Sequence, residues 1–538
     1  MTSLPHWLTP LLDAETMRGV DRWAIDERGV AGLDLMERAG AGVVRAVESI
    51  AADGPVAVVC GKGNNGGDGL VVARLLREAA RAVSVVCVAD PGEFKGDASI
   101  NLERLPGPPP VRPDGGAWDA EPAASGRGGA VPDGEGPLAG AAVIVDALLG
   151  TGFEGEPRGA VAQAVDEINR ADAQVVSVDV PSGVDASSGV VAGSAVRATV
   201  TVTFHAAKPG LWIRPGKAHA GEVRCVDIGI PRGAPGVASI GLIEPSVLAT
   251  LSRREAAGTK FVSGHVLVAG GSLGLTGAPA MAARASMRAG AGYVTACVPA
   301  SLQAVLAGGG TPEVMTVGLP DEDGALTEEG VARVLEATGR GGALALGPGL
   351  GRSEGAFVFA RRLAHEAKVA IVLDADGLNA HAGILGGLVT RQAPTVLTPH
   401  AGELGRLLER DSAEIERTRL AHVREAAEKA AAVVVLKGDD TLIADPAGRV
   451  AVSPGGSPAL ATAGTGDVLS GVIAALLAQG LEPFTAAAAG VCLHAEAGRL
   501  AARRLGVAEG VMASDVIAAL PGARASALAL AQEASTDA

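Results

Sequence analysis

The chain has 538 residues, a length that suits about three domains of roughly 100–200 residues or two large ones, and that speaks against a single domain. Gly supplies 76 residues and aromatic residues only 2%, so small side chains must build the core. With Lys+Arg 45 against Asp+Glu 60, a net charge of −15 and few rings to stack on bases, a general nucleic-acid binder is disfavoured, and any anionic ligand must be held by local loops.

In chain order, the leading MTSLPHWLTPLLDAETMRGVDRW carries acids early and lacks the basic start and apolar run of a signal peptide. No stretch reaches the ~18 uninterrupted apolar residues of a membrane span, so a cytoplasmic chain without a membrane segment is expected. Short apolar runs then alternate with helical patterns: PVAVVC (55–60), VSVVCVA (83–89), AAVIVDALLG (141–150), AQVVSVDV (173–180) and ATVTVTF (198–204). Runs apolar on both faces suit a parallel sheet covered by helices. The stretch Pro106–Gly140 is rich in Pro, Gly, Ala and Asp, and predicts a disordered excursion inside the first domain. A second composition shift, IPRGAPGVASIG, predicts a linker over 231–241 between a domain 1–230 and a domain 242–522, with a flexible tail over 523–538. Beyond the linker the alternation restarts with GHVLVAGGS, GGALALGPGLG, VAIVLDADGLN, APTVLTPHAGE and AAVVVLKGDD. Two α/β domains in one chain are expected. The five cysteines have neither disulfide-framework nor metal-ligand spacing and read as small buried apolar residues.

GKGNNGGDGL (61–70) lies between a predicted strand and a predicted helix, and Gly61, Gly63 and Gly66 satisfy GxGxxG, with Asp90 ending the next strand. A dinucleotide dehydrogenase is therefore a serious rival reading. Against it, Asp68 sits where a pyrophosphate would approach the helix and would compete for the same backbone N–H groups. The loop is not a Walker loop, and a plain glycine turn is the bland alternative. Asp146 ends a buried strand ahead of LLGTGFEGEPRG, and DVPSGVDASSG (179–189) ends another; acids at such strand ends face the crevice where α/β sheets bind ligands. The bland alternative, helix caps and turn residues, fits Ser182 and Asp185 well and Asp146 less well.

Together, GKGNNGGDGL, DALLGTGFEG, DVPSGVDASSG and the leading MRGVDRWAI…LMERAG resemble the NAD(P)H-hydrate epimerase domain over roughly the first 230 residues. The resemblance implies a Rossmann-like three-layer fold. It places Asn64, Asn65, Gly66, Gly67, Asp68, Gly150, Thr151, Gly152, Phe153, Glu154, Gly155, Glu156 and Asp179 at the hydrated nicotinamide nucleotide. Asn65, Asp146 and Ser182 would hold a potassium ion, and Asp146 would also transfer a proton.

In ATAGTGDVLSGVIAALLAQG (461–480) a small-residue turn opens straight into a long apolar helix. Bare N–H groups at such a start form an anion hole, and Asp467 beside it can act as a base toward a hydroxyl, unless it merely caps the helix. GPGLG, DADGLN, TPHAGE and LKGDDT supply further polar strand ends. An isolated His400 would more often be a packing residue, whereas Lys437, after AAVVV, is placed to meet a phosphate. These motifs, with GHVLVAGGSLGLTGAPAMAARASMRAGAGYVT, resemble the ADP/ATP-dependent NAD(P)H-hydrate dehydratases of the ribokinase-like superfamily over about Arg253–Leu520. The resemblance implies that Ala278, Gly349, His400 and Asp467 meet the hydrated nucleotide. It also implies that Lys437, Gly438, Asp439, Asp440, Thr441 and Gly466 bind the adenine nucleotide. Thr259 stands before Lys260 where that pattern has His-Lys, and His400 with Glu403 stand in place of the NxxE of related sugar kinases. Magnesium is thus expected to travel with ADP, without a permanent protein cage.

The two resemblances imply repair of hydrated NADH and NADPH. The R and S hydrates would be interconverted at carbon 6, and the S form dehydrated with ADP, releasing AMP and phosphate. ADP is expected because chains that fuse both domains are typically of that type, and a homo-oligomer is expected. The rival readings are a sugar or vitamin kinase with an accessory nucleotide-binding domain, and a nucleotide sensor regulating its neighbour.

Overall fold

Val-rich runs with no polar face can be buried only between two layers of helices, and both halves of this chain solve that problem with a central sheet. The computed structural model describes residues 4–113, 136–309, 311–339 and 341–536. The chain folds as two units, one comprising Pro10–Ala238 and the other Ser239 onward together with the N-terminal residues up to Thr9. This differs from the expected division: residues up to Thr9 belong with the second half. The strands are β1 (Leu8–Leu11), β2 (Val56–Cys60), β3 (Val83–Cys87), β4 (Val143–Ala147), β5 (Gln174–Val178), β6 (Val200–Phe204) and β7 (Glu222–Val226) in the first half.

In the first unit six strands run in the order β3-β2-β4-β5-β6-β7, all parallel. From β2 the chain crosses outward to β3, then returns to β4 on the other side and continues toward β7. The strand order therefore reverses between β2 and β4, and the crevice at their carboxyl ends is where such sheets receive ligands. The loops leaving those two strands are Gly61–Gly63 and Leu148–Phe153, and they meet there: a Cβ at Gly61 would collide with the Leu148 carbonyl oxygen. Of the expected disordered excursion, residues 114–135 lie outside the described residues; Val111 bridges to Val86 beside the sheet.

The second unit carries β8 (Ile240–Ile243), β9 (His265–Ala269), β10 (Tyr293–Pro299), β11 (Val314–Leu319), a two-residue hairpin β12 (Asp321–Glu322) and β13 (Ala325–Leu326), β14 (Ala343–Leu346), β15 (Ala370–Leu373), β16 (Thr395–Leu397), β17 (Val433–Leu436), β18 (Leu442–Ala444) and β19 (Val450–Val452). Eleven strands form one mixed sheet, β1-β8-β19-β18-β17-β16-β15-β14-β9-β10-β11, with β18 antiparallel to both neighbours. Here the order reverses between β9 and β14, so GGSLG after β9 and GPGLG after β14 line the corresponding crevice.

β8 occupies the end of the segment expected to be a linker, and the helix Ala513–Thr536 runs on through most of the segment expected to be a flexible tail. The core is built of small side chains, as the composition requires. The helix Thr465–Ala478 is apolar nearly all round and buried, and a Cβ at its Gly471 would collide with the Ala282 carbonyl oxygen of the neighbouring helix Gly277–Arg288. Cys60, Cys87 and Cys297 are buried apolar residues as expected, whereas Cys225 is exposed. No helix among the described residues is long and apolar enough to cross a membrane.

Candidate active sites

At the first crevice a cavity of about 720 Å³ opens between the two loops, and its wall includes Asn64, Asn65, Asp68, Gly150–Phe153 and Asp179. Glu154, Gly155 and Glu156, expected at the ligand, are exposed beyond this wall. Gly66 and Gly67 are also not part of it, and their reason is packing. A Cβ at Gly66 would collide with the Gly61 carbonyl oxygen, and one at Gly67 would stand 3.0 Å from Met36 Cε and 3.1 Å from Ala98. These glycines let the helix Asn64–Glu78 start close enough for Asn65 and Asp68 to face the crevice.

Asp146 is placed differently from the expectation that its carboxylate projects into the crevice. It is 0% exposed and lies beneath the floor. Ser182 Oγ donates to its Oδ1 at 2.5 Å, and Ser177 Oγ and the Ser182 N–H donate to its Oδ2 at 2.8 and 2.9 Å. Burial pushes the Asp146 carboxyl above the usual range, and those serine hydrogen bonds oppose the push. The strand end is polar because it must anchor the DVPSG turn from below. Ser182 in turn accepts from the Leu149 N–H at 2.9 Å, and Asn65 Nδ2 donates to the Leu149 carbonyl at 2.9 Å. Asn65, Ser182, Asp146 and the Leu149 carbonyl thus form one oxygen-rich knot containing a single acid, a donor set suited to a hard monovalent cation.

Two residues of this cavity carry no sequence signal of their own. Lys208, just past β6, is 1% exposed, and its ammonium donates to Asp179 Oδ1 at 2.5 Å, Thr203 Oγ1 at 2.9 Å and the Phe204 carbonyl at 3.0 Å. Asp179 holds a left-handed backbone, φ 65°, which turns its side chain toward this pair. Asp21, on the helix Ala14–Arg22, shares the wall. Burial raises its carboxyl to about 6, Lys208 pulling down and Asp179 pushing up. Burial, reinforced by Asp179 and Asp21, drives Asp68 well above the carboxylate range against the pull of Lys208.

At the second crevice the strand ends converge on Lys437. Its Nζ lies 3.0 Å from Asp374 Oδ1 at the end of β15 and 3.6 Å from Glu403 Oε2 after β16. Burial lowers the Lys437 pKa, but Asp374 and Glu403 more than offset it, and the net shift is upward. Gly464, with φ 88°, turns the chain into the helix Thr465–Ala478, and a Cβ at Gly466 would sit 3.6 Å from Lys437 Nζ. Bare N–H groups therefore open beside the ammonium. Asp467, in the first turn, is raised to about 7, first by burial and then by Asp374 and Glu403, with Lys437 opposing. Ser470 Oγ donates to Asp374 Oδ2 at 2.5 Å, fixing that carboxylate from the same helix. Asp374, Glu403 and Ser470 join the site in the structure; DADGLN and TPHAGE signalled the first two by position, and nothing in the sequence signalled Ser470.

His400 caps the helix Ala401–Leu408, its Nδ1 accepting from the Gly402 N–H at 3.0 Å while Glu403 Oε2 accepts from the His400 N–H at 2.9 Å. That leaves the ring edge 54% exposed, and burial of the remainder lowers its pKa. Ala278 and Gly349 are brought together, since a Cβ at Gly349 would lie 3.1 Å from that of Ala278. One turn along, Met281 abuts Gly464, where a Cβ would lie 2.6 Å from Met281 Cε. In the loop Lys437–Thr441, Gly438 and Thr441 close a tight turn through the Thr441 Oγ1 donation to the Gly438 carbonyl at 2.6 Å. Asp440 is 0% exposed and bound by Arg419 Nε at 3.1 Å, and Arg419 Nη2 donates to the Lys437 carbonyl at 3.1 Å. The Asp440 side chain thus shapes the loop from within, leaving the backbone and Asp439 as its outward face. No group of three or more His, Cys, Asp or Glu suited to a metal occurs among the described residues.

Residues 266–522 match the family described as NAD(P)H-hydrate dehydratase, and residues 32–210 the family described as YjeF-related protein N-terminus. The chain is 41% identical over 519 residues to the bifunctional NAD(P)H-hydrate repair enzyme of Moorella thermoacetica, covering 95% of this chain and 96% of that protein. It is 41% identical over 535 residues to the enzyme of the same description from Salinibacter ruber, covering 95% of each. A solved structure described as ADP/ATP-dependent NAD(P)H-hydrate dehydratase from Bacillus subtilis, co-crystallized with ATP/Mg2+, is 28% identical with a TM-score of 0.45, covering 52% of this chain and 96% of its own.

Proposed function

The chain belongs to the bifunctional NAD(P)H-hydrate repair enzymes, epimerase and dehydratase in one polypeptide, and from that premise we propose which residues carry each activity. The observation that carries the assignment is that each unit has its own polar cluster at the reversal point of its own sheet. The cavity bounded by Asn64, Asn65, Asp68, Gly150–Phe153 and Asp179 receives the R and S hydrates. Asn65, Ser182 and Asp146 with the Leu149 carbonyl would hold potassium. The ion would supply a fixed positive charge that ties the Leu148–Phe153 loop to the start of the helix Asn64–Glu78.

In the second unit Ala278, Gly349 and His400 hold the S hydrate, and Lys437–Thr441 with Gly466 hold ADP. Hydroxide is a poor leaving group, so the hydroxyl at carbon 6 is first phosphorylated. Asp467 takes the hydroxyl proton as the oxygen attacks the terminal phosphorus of ADP, and AMP departs. Lys437 and the N–H groups at the start of the helix Thr465–Ala478 stabilise charge on the group in transfer. Phosphate then leaves carbon 6 with the bonding pair, and loss of a ring proton restores the reduced nicotinamide. Because Asp374 and Glu403 are engaged by Lys437, magnesium would be held mainly by the nucleotide phosphates, whose charge it would neutralise.

Purified protein given mixed hydrate epimers and ADP, with absorbance of the reduced nicotinamide and phosphate followed together, tests this reading. Both epimers should be consumed and the two signals should rise in equal amounts. A stable phosphorylated product without the absorbance would instead make the second unit a kinase.

A further inference from the structure

The acids of the first unit are not equally committed. Asp146 is saturated by serines, and Asp179 accepts from both Thr203 and Lys208. Lys208 has spent its three donors on Asp179, Thr203 and Phe204, so its ammonium has none left for a ligand. Asp68 is 9% exposed, close to fully enclosed. Asp21 is half-buried on the cavity wall and has no hydrogen-bond or ion-pair partner among the described residues. The charged groups sharing its cavity are Arg18 from its own helix, Asp68, Asp97, the Lys62–Glu93 ion pair and the Asp179–Lys208 pair.

We propose that Asp21 is the general acid of the epimerisation, acting across this cavity with the Lys208-held Asp179 as the receiving carboxylate. The proposal rests on the reading that this cavity holds the hydrate. In the R-to-S direction the protonated Asp21 gives its proton to the hydroxyl oxygen on carbon 6. The C–O bond breaks with its electron pair and water leaves, while the lone pair of the ring nitrogen forms a C=N double bond. Water then adds to the other face of carbon 6, the double-bond pair returns to nitrogen, and the surplus proton of the incoming water passes to Asp179. Exchange with solvent restores both carboxyl groups, and in the reverse direction the two exchange roles. The cationic ring between these steps is stabilised by the carboxylates around it. A proton donor works best when its pKa lies near the operating pH, and burial has moved Asp21 to about 6.

Three full-length variants test this, with dehydration of the S hydrate as the internal control for an intact protein. Asp21→Asn should slow R-hydrate consumption by ~10²-fold or more and remove the limb of the pH profile that falls as pH rises through about 6. Asp21→Glu should recover part of the rate and keep the limb. Gly152→Trp, at a wall position where a Cβ meets nothing within 4 Å, should fill the cavity and stop epimerisation. If Gly152→Trp stops it but Asp21→Asn stays within a few-fold of wild type or keeps the limb, Asp21 is not the acid and the cavity assignment stands. If Gly152→Trp leaves epimerisation untouched, the cavity assignment itself fails, and the role of Asp21 with it.

Discussion

Replacing Asp467 with Asn should weaken the enzyme and strengthen the protein at the same time. Burial and the neighbouring Asp374 and Glu403 raise this carboxyl from 3.8 to about 7. At 1.36 kcal/mol per pH unit, keeping it ionised in the folded state costs up to ~4 kcal/mol, and screening at its solvent-facing edge reduces this to about 2 kcal/mol. Because the folded pKa lies above the unfolded one, the folded state holds the proton more tightly. Stability is therefore highest below pH 3.8, falls as pH rises through 7, and carries the full penalty above it. Asn removes the penalty at nearly the same size, and no cap is lost, because Gly464 is the N-cap and the Asp467 side chain makes no cap hydrogen bond. At pH 8 the transition of the second unit should rise by several degrees, at about 2–4 °C per kcal/mol, and the gain should vanish near pH 4. Dehydration should fall by at least ~10²-fold at unchanged nucleotide binding, and the wild-type rate should climb with pH through about 7 as the base ionises. Calorimetry at several pH values and a single-turnover assay read both arms. A near-normal rate with an unshifted transition would show that the Asp467 carboxylate does no chemistry.

Trp7 is 2% exposed and stacks at a tilt on Phe484, with ring centroids 5.8 Å apart, so Trp7→Ala should cost ~3–5 kcal/mol. The dehydratase transition should fall while the epimerase transition stays in place, as differential scanning calorimetry would show; a shift of the epimerase transition alone would be contrary. Asp146→Ala removes the acceptor of Ser177 and Ser182 and should abolish epimerisation and its potassium dependence while S-hydrate dehydration persists. Asp146→Asn keeps one oxygen and should regain part of the activity at high potassium; rates of R-hydrate loss across a potassium series decide, and full activity without potassium would dismiss the ion site.

The parts legible in the sequence were those whose chemistry is local. GKGNNGGDGL and ATAGTGDVLS announce strand-to-helix turns because glycine and an adjacent acid have a meaning within ten residues. Asp146 was legible as the end of a buried strand, but its orientation depended on which serines the next strands would bring beneath it. Asp21 and Lys208 were illegible for the same reason: one reads as the polar face of an amphipathic helix and the other as a lysine after a strand, until folding sets them in one cavity. The division near 231–241 was legible, but the N-terminal residues were assigned to the wrong unit because LTPL and IGLI are four-residue strands with little signal, whose pairing is decided by a sheet edge formed much later in the sequence. The helical end of the chain was legible in hindsight, since ASALALAQEAS is rich in the best helix formers.

The dehydratase is discontinuous along the polypeptide, with residues up to Thr9 on one side of Pro10–Ala238 and the remainder on the other. On the ribosome, its first strand emerges and must wait, unpaired, while the whole epimerase is made. The entropy of closing so long a loop grows only logarithmically with its length, and a folded epimerase shortens it further, so this delay costs little at equilibrium. Its effect is on inheritance and turnover. A protease nick between the halves cuts the covalent tie between the dehydratase and a buried part of its own core, and a gene truncated to the second half encodes an incomplete domain. The two activities are thereby produced and lost together, one copy of each per chain, without any contact between their catalytic groups being required.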